Sequence, residues 1–146
     1  MSHKDKMPHD IEQACLWVVR GYDRRVRAYY DAVYQVEHGT YCADGSGGRP
    51  IGIGRPCETK AEALAEIDGW PETKRMRAVE QALHAISCDV VSEEQRKRLR
   101  FGIMLNCESG RKYPFEYLSV DCVSRMDFYR RRKRFLREIA KFLCLV

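Results

Sequence analysis

The chain has 146 residues, of which 32% are charged and 45% are hydrophobic. That length allows one domain of average size or a small domain with an extended arm, and the charged fraction exceeds the roughly 25% typical of globular proteins. No stretch approaches the run of about 18 apolar residues that spans a membrane, and the first ten residues lack the apolar core of a secretion signal. The composition therefore predicts a modest core, amphipathic helices and a heavily charged surface.

The net charge of +5 is concentrated near the end of the sequence. Residues 124–146 contain eight Lys and Arg and two acids, so their charge of +6 leaves −1 for the rest of the chain. Such one-sided positive charge is the electrostatic footprint of a phosphate-binding surface. It therefore indicates nucleic acid as the partner, and a solvated charged face on an ordinary helix is the competing interpretation.

Cysteine occurs seven times, an odd number, and no two cysteines have C-x-x-C spacing. This pattern predicts reduced thiols in a cytosol rather than a disulfide framework. His38, Cys42 and Cys57 match no common zinc-ligand spacing, and no signature of a nucleophile surrounds any Cys or His. We therefore expect no metal, no cofactor and no catalysis.

The first predicted element is a helix from Asp10 to about Glu37, after a disordered tail over residues 1–9. Charged residues such as Arg25 lie off an apolar stripe whose members recur in steps of three and four: Ile11, Cys15, Val18, Tyr22, Val26, Tyr29, Val33 and Val36. A helix of about 40 Å, at 1.5 Å per residue, needs a partner helix. The partner is either a second copy, in a homodimer through Ile11–Val36, or the next helical region, in a hairpin that the bulky tyrosines slightly favour.

A Gly-rich segment, residues 38–57, separates this helix from a second helical region. The segment has six Gly and two Pro, which predict a loop, and it lacks the strand and the Gly-Lys-Ser/Thr of a phosphate-binding loop. The second helical region opens after Pro56, is interrupted at Gly69–Pro71 and resumes to about Ser87. Residues 10–87 are therefore predicted to form a long hairpin.

The last part of the chain, residues 92–146, is predicted to be a DNA-binding domain. Ser92 opens a capping box before a further helix, and Pro114–Leu118 has the pattern of one or two helical turns. Ser124 and Asp127 form a second capping box at the start of the final helix. With no segment of period-2 alternation, the sequence predicts an all-α fold: a long N-terminal helical hairpin or coiled coil joined to a C-terminal helix-turn-helix.

The final predicted helix is amphipathic. Its apolar stripe comprises Phe128, Phe135, Ile139, Phe142 and Val146. The apolar side can pack on the protein while the basic side enters the major groove, where side chains read base edges and cations bind phosphates. The predicted DNA-binding residues are Ser124, Arg125, Asp127, Tyr129, Arg130, Arg131, Lys133, Arg134 and Arg137.

Two parts of the sequence resemble the RinA/ArpU-type transcriptional regulators of phages. Residues 44–59 (DGSGGRPIGIGRPCET) and 75–86 (RMRAVEQALHAI) are similar to that family's Gly- and Pro-rich loop and the helix after it. Residues 124–143 (SRMDFYRRRKRFLREIAKFL) are similar to its C-terminal motif. The resemblance implies a sigma-region-4-like helix-turn-helix and transcription control in a phage or prophage, in the cytoplasm of a bacterial host. It also implies double-stranded DNA as the ligand and RNA polymerase as a second partner.

The resemblance implies that Ser124 caps the recognition helix. It implies that the groove-facing residues are Arg125, Asp127, Tyr129, Arg130, Arg131 and Arg134. The chain departs from the family at Leu118–Asp121, where Ala-x-x-Leu is usual, and at Cys144, where Gly is common. The alternative function is a non-catalytic helical adaptor or a small phage packaging subunit with non-specific DNA binding.

Overall fold

A computed structural model of the protein describes residues 6–38, 56–109 and 112–146. Over these residues the chain is helical and has no strand, so the predicted all-α class is confirmed there. The elements are α1 (His9–Arg20), α2 (Tyr22–Glu37), α3 (Pro56–Asp68), α4 (Pro71–Ser87), α5 (Glu93–Ser109), a 3-10 helix (Phe115–Tyr117) and α6 (Arg125–Phe142). None of these helices has the length and apolarity needed to cross a membrane.

The chain divides into two compact units. The first unit comprises Met1–Gly21 and Arg77–Val146, and the second comprises Tyr22–Met76. This division differs from the expected hairpin over residues 10–87, because α1 contacts α5 and α6. The predicted disordered tail and Gly-rich loop fall largely on residues 1–5 and 39–55, which lie outside the described residues.

The predicted first helix is two helices, separated at Gly21. The N–H of Gly21 still donates to the carbonyl of Trp17 at 3.2 Å, and α2 begins at the next residue. A glycine inside a helix costs about 1 kcal/mol relative to alanine, which favours a helix end at this position. The start also differs from the prediction, because Pro8 rather than Asp10 precedes the first helical residue.

The apolar stripe of that predicted helix is shared between the two units. Cys15 and Val18 are buried in the first unit. Val36 is buried in the second, in a core cluster with Ala63 and Ile67. These three members of the stripe are buried within the chain, and the homodimer along Ile11–Val36 stays a prediction.

In the second unit α2 and α3 contact each other and run antiparallel. The Lys60 ammonium donates to the carbonyl of Glu37 at 3.3 Å, which places the start of α3 beside the end of α2. Arg25, which the sequence placed off the apolar stripe, is only 2% exposed. Its Nε donates to Oε2 of Glu72 at 2.6 Å, and this pairing explains the burial because a guanidinium inside a protein requires a charged or polar acceptor.

The first unit is centred on α6, which contacts α1, α5 and the 3-10 helix. Its buried side chains are those of Phe128, Phe135, Leu136, Ile139 and Ala140. Gly102 of α5 allows a close approach, because a Cβ there would lie 2.8 Å from Cγ2 of Val120. Together these contacts fix the position of α6 within the unit.

The segment between α5 and α6 covers residues 110–124. Its one-turn 3-10 helix agrees with the predicted helical turn at Pro114–Leu118. Seven residues, 118–124, lie between this 3-10 helix and α6, whereas a DNA-binding helix-turn-helix has a turn of only three or four residues. The predicted helix-turn-helix is therefore not confirmed.

Candidate nucleic-acid interface

Helix α6 begins after Ser124, the serine cap that the sequence predicts. Oγ of Ser124 accepts a hydrogen bond from the N–H of Asp127 at 3.1 Å, and Ser92 caps α5 in the same way with the N–H of Gln95 at 3.4 Å. Such a cap stabilises a helix by about 1 kcal/mol. The 18 residues of α6 make it about 27 Å long, at 1.5 Å per residue.

One side of α6 carries a group of exposed cations, Arg130, Lys133 and Arg134, which we call the cationic patch. Their spacing of three and four residues places them on one face, with Cβ atoms about 5–6 Å apart. Within the described part of the chain, none of the three forms a salt bridge; those of α6 involve other residues. The patch therefore presents its positive charge to solvent.

Arg131 lies in the same basic run but has a different environment. Its side chain is 16% exposed, and its Nη1 and Nη2 donate to the two carboxylate oxygens of Asp89 at 2.7 and 2.8 Å. Its Nε donates to Oδ2 of Asp127 at 3.0 Å, and Nη1 also donates to the carbonyl of Ile86 at 2.7 Å. Arg131 thus joins α6 to the end of α4, instead of presenting a free cation to a groove as predicted.

The electrostatics of this cluster follow from its hydrogen bonds. The bond from Arg131 lowers the pKa of the Asp89 carboxyl, and the same bond, joined by that to Asp127, raises the pKa of the Arg131 guanidinium. A bidentate pair of this kind is a strong, directional contact. Asp89 lies 42 residues from Arg131, and no local pattern in the sequence indicates the pairing.

The predicted base-reading residues at the start of α6 are engaged inside the first unit. Nε of Arg125 lies 2.8 Å from Oε1 of Glu116, and its guanidinium carbon lies 5.5 Å from the ring centroid of Tyr129. The Tyr129 hydroxyl accepts a hydrogen bond from the N–H of Phe115 at 3.3 Å. The Arg125–Glu116 pair is largely exposed, so it is a weak pair that a phosphate can replace.

Two further predicted residues, Asp127 and Arg137, are partly buried. The Asp127 carboxylate is occupied by Arg131, and Arg137 interacts with another group of the chain. The structure therefore divides the predicted site: Arg130, Lys133 and Arg134 form an exposed surface, whereas Arg131 and Asp127 hold the helix in place.

The predicted apolar stripe of α6 is correct over most of the helix and wrong at its end. Phe128, Phe135 and Ile139 are fully buried, whereas Phe142 is 48% exposed and Val146 is 62% exposed. The helix ends at Phe142, so the helical period does not extend to Val146.

The end of α6 is a left-handed C-cap formed by a cysteine. Cys144 has φ of 57°, the N–H of Leu145 donates to the carbonyl of Ala140 at 2.8 Å, and the N–H of Cys144 donates to that of Lys141 at 3.1 Å. This is the hydrogen-bond pattern of a Schellman motif, in which glycine usually occupies the left-handed position. The sequence departs from the usual glycine here, and the cysteine adopts the glycine conformation.

The cysteines that the structure describes are free thiols. Burial raises the pKa of Cys15 and Cys107 to about 11, so both stay protonated at neutral pH. Among the described residues no three His, Cys, Asp or Glu side chains are grouped as metal ligands. Cys42 and the Cys57 side chain lie outside the described residues, as does any site they would form with His38.

Comparisons with protein-family models, with curated proteins and with solved structures find no match. The resemblance to RinA/ArpU-type regulators therefore stays a prediction based on the quoted residues. Of these, 75–86 lie in α4 and 125–142 form α6, while 44–55 lie outside the described residues.

Proposed function

We propose that this protein is a DNA-binding transcriptional regulator of a phage or prophage, with α6 docked in the major groove. The cationic patch carries the proposal: Arg130, Lys133 and Arg134 are exposed, share one face and form no salt bridge within the described residues. The major groove is about 12 Å wide and admits an α-helix. RNA polymerase is proposed as a second partner on the basis of the resemblance alone.

The patch suits the phosphate backbone of DNA because its three cations are exposed and form no salt bridge within the described residues. Each phosphate that a cation neutralises releases condensed counterions, so log K falls with log salt by about 0.9 per contact. Three contacts predict a slope of about three. If a DNA phosphate displaces Glu116 from Arg125, this fourth contact raises the expected slope to about four.

Fluorescence polarisation with labelled duplexes tests the proposal. One duplex carries DNA from beside the protein's own gene, the other a scrambled sequence, and each is titrated at two salt concentrations. The variant Arg130→Gln/Arg134→Gln is expected to lower the salt slope by about two. The control Arg27→Gln/Arg98→Gln removes the same charge from exposed positions of α2 and α5. An equal loss of affinity in both variants would contradict a role for the patch.

A helical adaptor or small packaging subunit with non-specific DNA binding is the second candidate. Two observations favour it: Arg125 and Tyr129, at the turn expected to read bases, contact their own protein, and Met126 beside them is 75% exposed. An exposed apolar side chain next to a cationic surface suits a protein partner. The two duplexes separate the candidates, because an adaptor binds both equally and a regulator retains its own duplex at the higher salt.

A further inference from the structure

A pocket of about 290 Å³ lies in the first unit, where α4 ends and α5 begins. It is lined by His84, Cys88, Glu93, Arg96, Lys97 and Arg100. Three cations and one acid give the lining a charge of +2 with histidine neutral. Pockets for drug-sized ligands occupy about 300–1,000 Å³, so this one suits a small anionic group.

Two guanidinium groups of the pocket are held by neutral acceptors. Nε of Arg100 donates to Oγ of Ser87 at 2.7 Å, and that hydroxyl donates to the carbonyl of Leu83 at 2.7 Å. Nη1 of Arg96 donates to the carbonyl of Val90 at 3.2 Å. Because these acceptors carry no charge, they orient the two guanidinium groups without neutralising them. Arg131, in contrast, is paired with the carboxylates of Asp89 and Asp127.

The acid in the pocket is weakly attached. Nζ of Lys97 lies 3.8 Å from Oε1 of Glu93, and both side chains are more than 70% exposed, at 73% and 74%. Such an exposed pair contributes at most about 1 kcal/mol, so an anion can displace Glu93 from Lys97. Lys97 is therefore available to an incoming anion together with Arg96 and Arg100.

We infer that this pocket binds a phosphate group, with Arg96 and Arg100 as hydrogen-bond donors and Lys97 as a third cation. Guanidinium groups present several N–H donors in one plane, which matches the oxygens of a phosphate. The phosphate belongs either to the backbone of bound DNA or to a free molecule such as inorganic phosphate or a nucleotide.

The DNA source is consistent with the position of the pocket in the first unit. Cys88 lines the pocket, and its neighbour Asp89 binds Arg131 of α6. The loop that borders the pocket is thus attached to α6, the helix that carries the cationic patch. In this form the inference rests on the proposed function and extends the DNA contact from α6 to α4 and α5.

The exposed thiol of Cys88 allows a direct test of occupancy. The whole protein is treated with iodoacetamide, a neutral reagent, and the alkylation rate of each cysteine is followed by peptide mass spectrometry. One arm adds inorganic phosphate and the other adds a duplex, each against chloride at equal ionic strength. Cys144, also exposed but outside the pocket, is the internal control.

Near-saturating ligand, at about ten times its Kd, is expected to slow the alkylation of Cys88 roughly tenfold while the rate at Cys144 stays unchanged. The protection should be lost in Arg100→Gln and weakened in Lys97→Gln. The side chain of Lys97 is 73% exposed, so its replacement should leave the protein folded. The protection should be kept in Arg98→Gln, which removes an exposed charge of α5 that does not line the pocket.

The two arms identify the source of the phosphate. Protection by the duplex alone assigns a backbone phosphate, and protection by inorganic phosphate alone assigns a free one. An unchanged Cys88 rate in both arms overturns the inference, as does protection that persists in both Arg100→Gln and Lys97→Gln. The two proposals can fail separately. If the duplex binds through the cationic patch and neither the duplex nor inorganic phosphate protects Cys88, the pocket inference fails while the proposed function stands.

Discussion

Arg130 and Arg131 are neighbours on α6 with identical side chains and different surroundings. Arg131 is 16% exposed and pairs with Asp89 and Asp127, whereas Arg130 is exposed and belongs to the cationic patch. A count of basic residues therefore overstates the charge that a helix offers to a ligand. Part of that charge in α6 attaches the helix to its own protein, and the rest faces outward.

The largest expected effect concerns the apolar side of α6. Phe135 is fully buried, so Phe135→Ala should destabilise the first unit by about 3–5 kcal/mol. Phe142→Ala should cost about 1 kcal/mol or less, because that ring is already half exposed. Urea unfolding in a Trp70→Phe background measures both, since Trp17 of α1 is then the remaining indole. Equal costs at the two positions would show that α6 is packed differently.

The next effect separates the neighbouring arginines. Arg131→Ala removes the hydrogen bonds to Asp89, Asp127 and Ile86 and should cost about 1–2 kcal/mol. The partly buried Asp127 carboxylate and the Ile86 carbonyl lose a donor, whereas water solvates Asp89, which is 62% exposed. Arg130→Ala should change stability by less than about 0.5 kcal/mol. The same urea experiment applies. A similarly small change in both variants would show that Arg131, like Arg130, contributes little to the fold.

A smaller effect concerns the pH dependence of stability. The folded-state pKa of Asp89 is lowered, chiefly by its bond from Arg131, so its contribution is present above the unfolded pKa, near 3.9, and is lost as pH falls through the folded value. In Asp89→Asn, the free energy of unfolding should therefore fall less steeply at acid pH. Trp17 fluorescence in the Trp70→Phe background measures this free energy. An unchanged pH dependence of the unfolding free energy in this variant would argue against the Asp89–Arg131 pair. The probe must report the first unit, because Glu72 of the second unit also has a lowered pKa, with its hydrogen bond from Arg25 as the main cause.

The smallest effect is a gain at the end of α6. Cys144→Gly should stabilise the first unit by about 0.5–1 kcal/mol, because glycine adopts the left-handed conformation without the Cβ penalty that cysteine incurs. Cys144→Ala is the matched control, since it removes the thiol and keeps the penalty. Calorimetric melting of the two variants compares them, and a gain shared by both would assign the effect to the thiol.

Much of the fold could be predicted from local sequence patterns. The serine caps at Ser92 and Ser124 and the interruption before Pro71 are short-range signals, and the structure places them as predicted. The break at Gly21 was missed because an unbroken apolar period across it favoured a single helix. The period was correct in part: Cys15 and Val18 are buried in the first unit and Val36 is buried in the second.

The candidate site was less predictable because its residues depend on contacts distant in sequence. Arg25 pairs with Glu72 and Arg131 pairs with Asp89, 47 and 42 residues apart, and periodicity shows neither partner. The pocket beside α5 was also missed, since Arg96 and Arg100 belong to a helix whose net charge is only +1. Whether a cation can bind a ligand depends on the exposure of its side chain and on whether an acid of the same chain pairs with it. Only a three-dimensional structure supplies both.

In the proposed function the cationic patch contacts DNA, whereas Arg131 attaches α6 to its own protein. NMR spectroscopy of the arginine Nε–H groups, recorded as a duplex is added at low salt, tests this assignment most directly. The signals of Arg130 and Arg134 are expected to shift as the duplex is added, whereas the signal of Arg131, whose Nε–H donates to Asp127, is expected to stay in place. A shift of the Arg131 signal with no change at Arg130 and Arg134 would contradict this assignment.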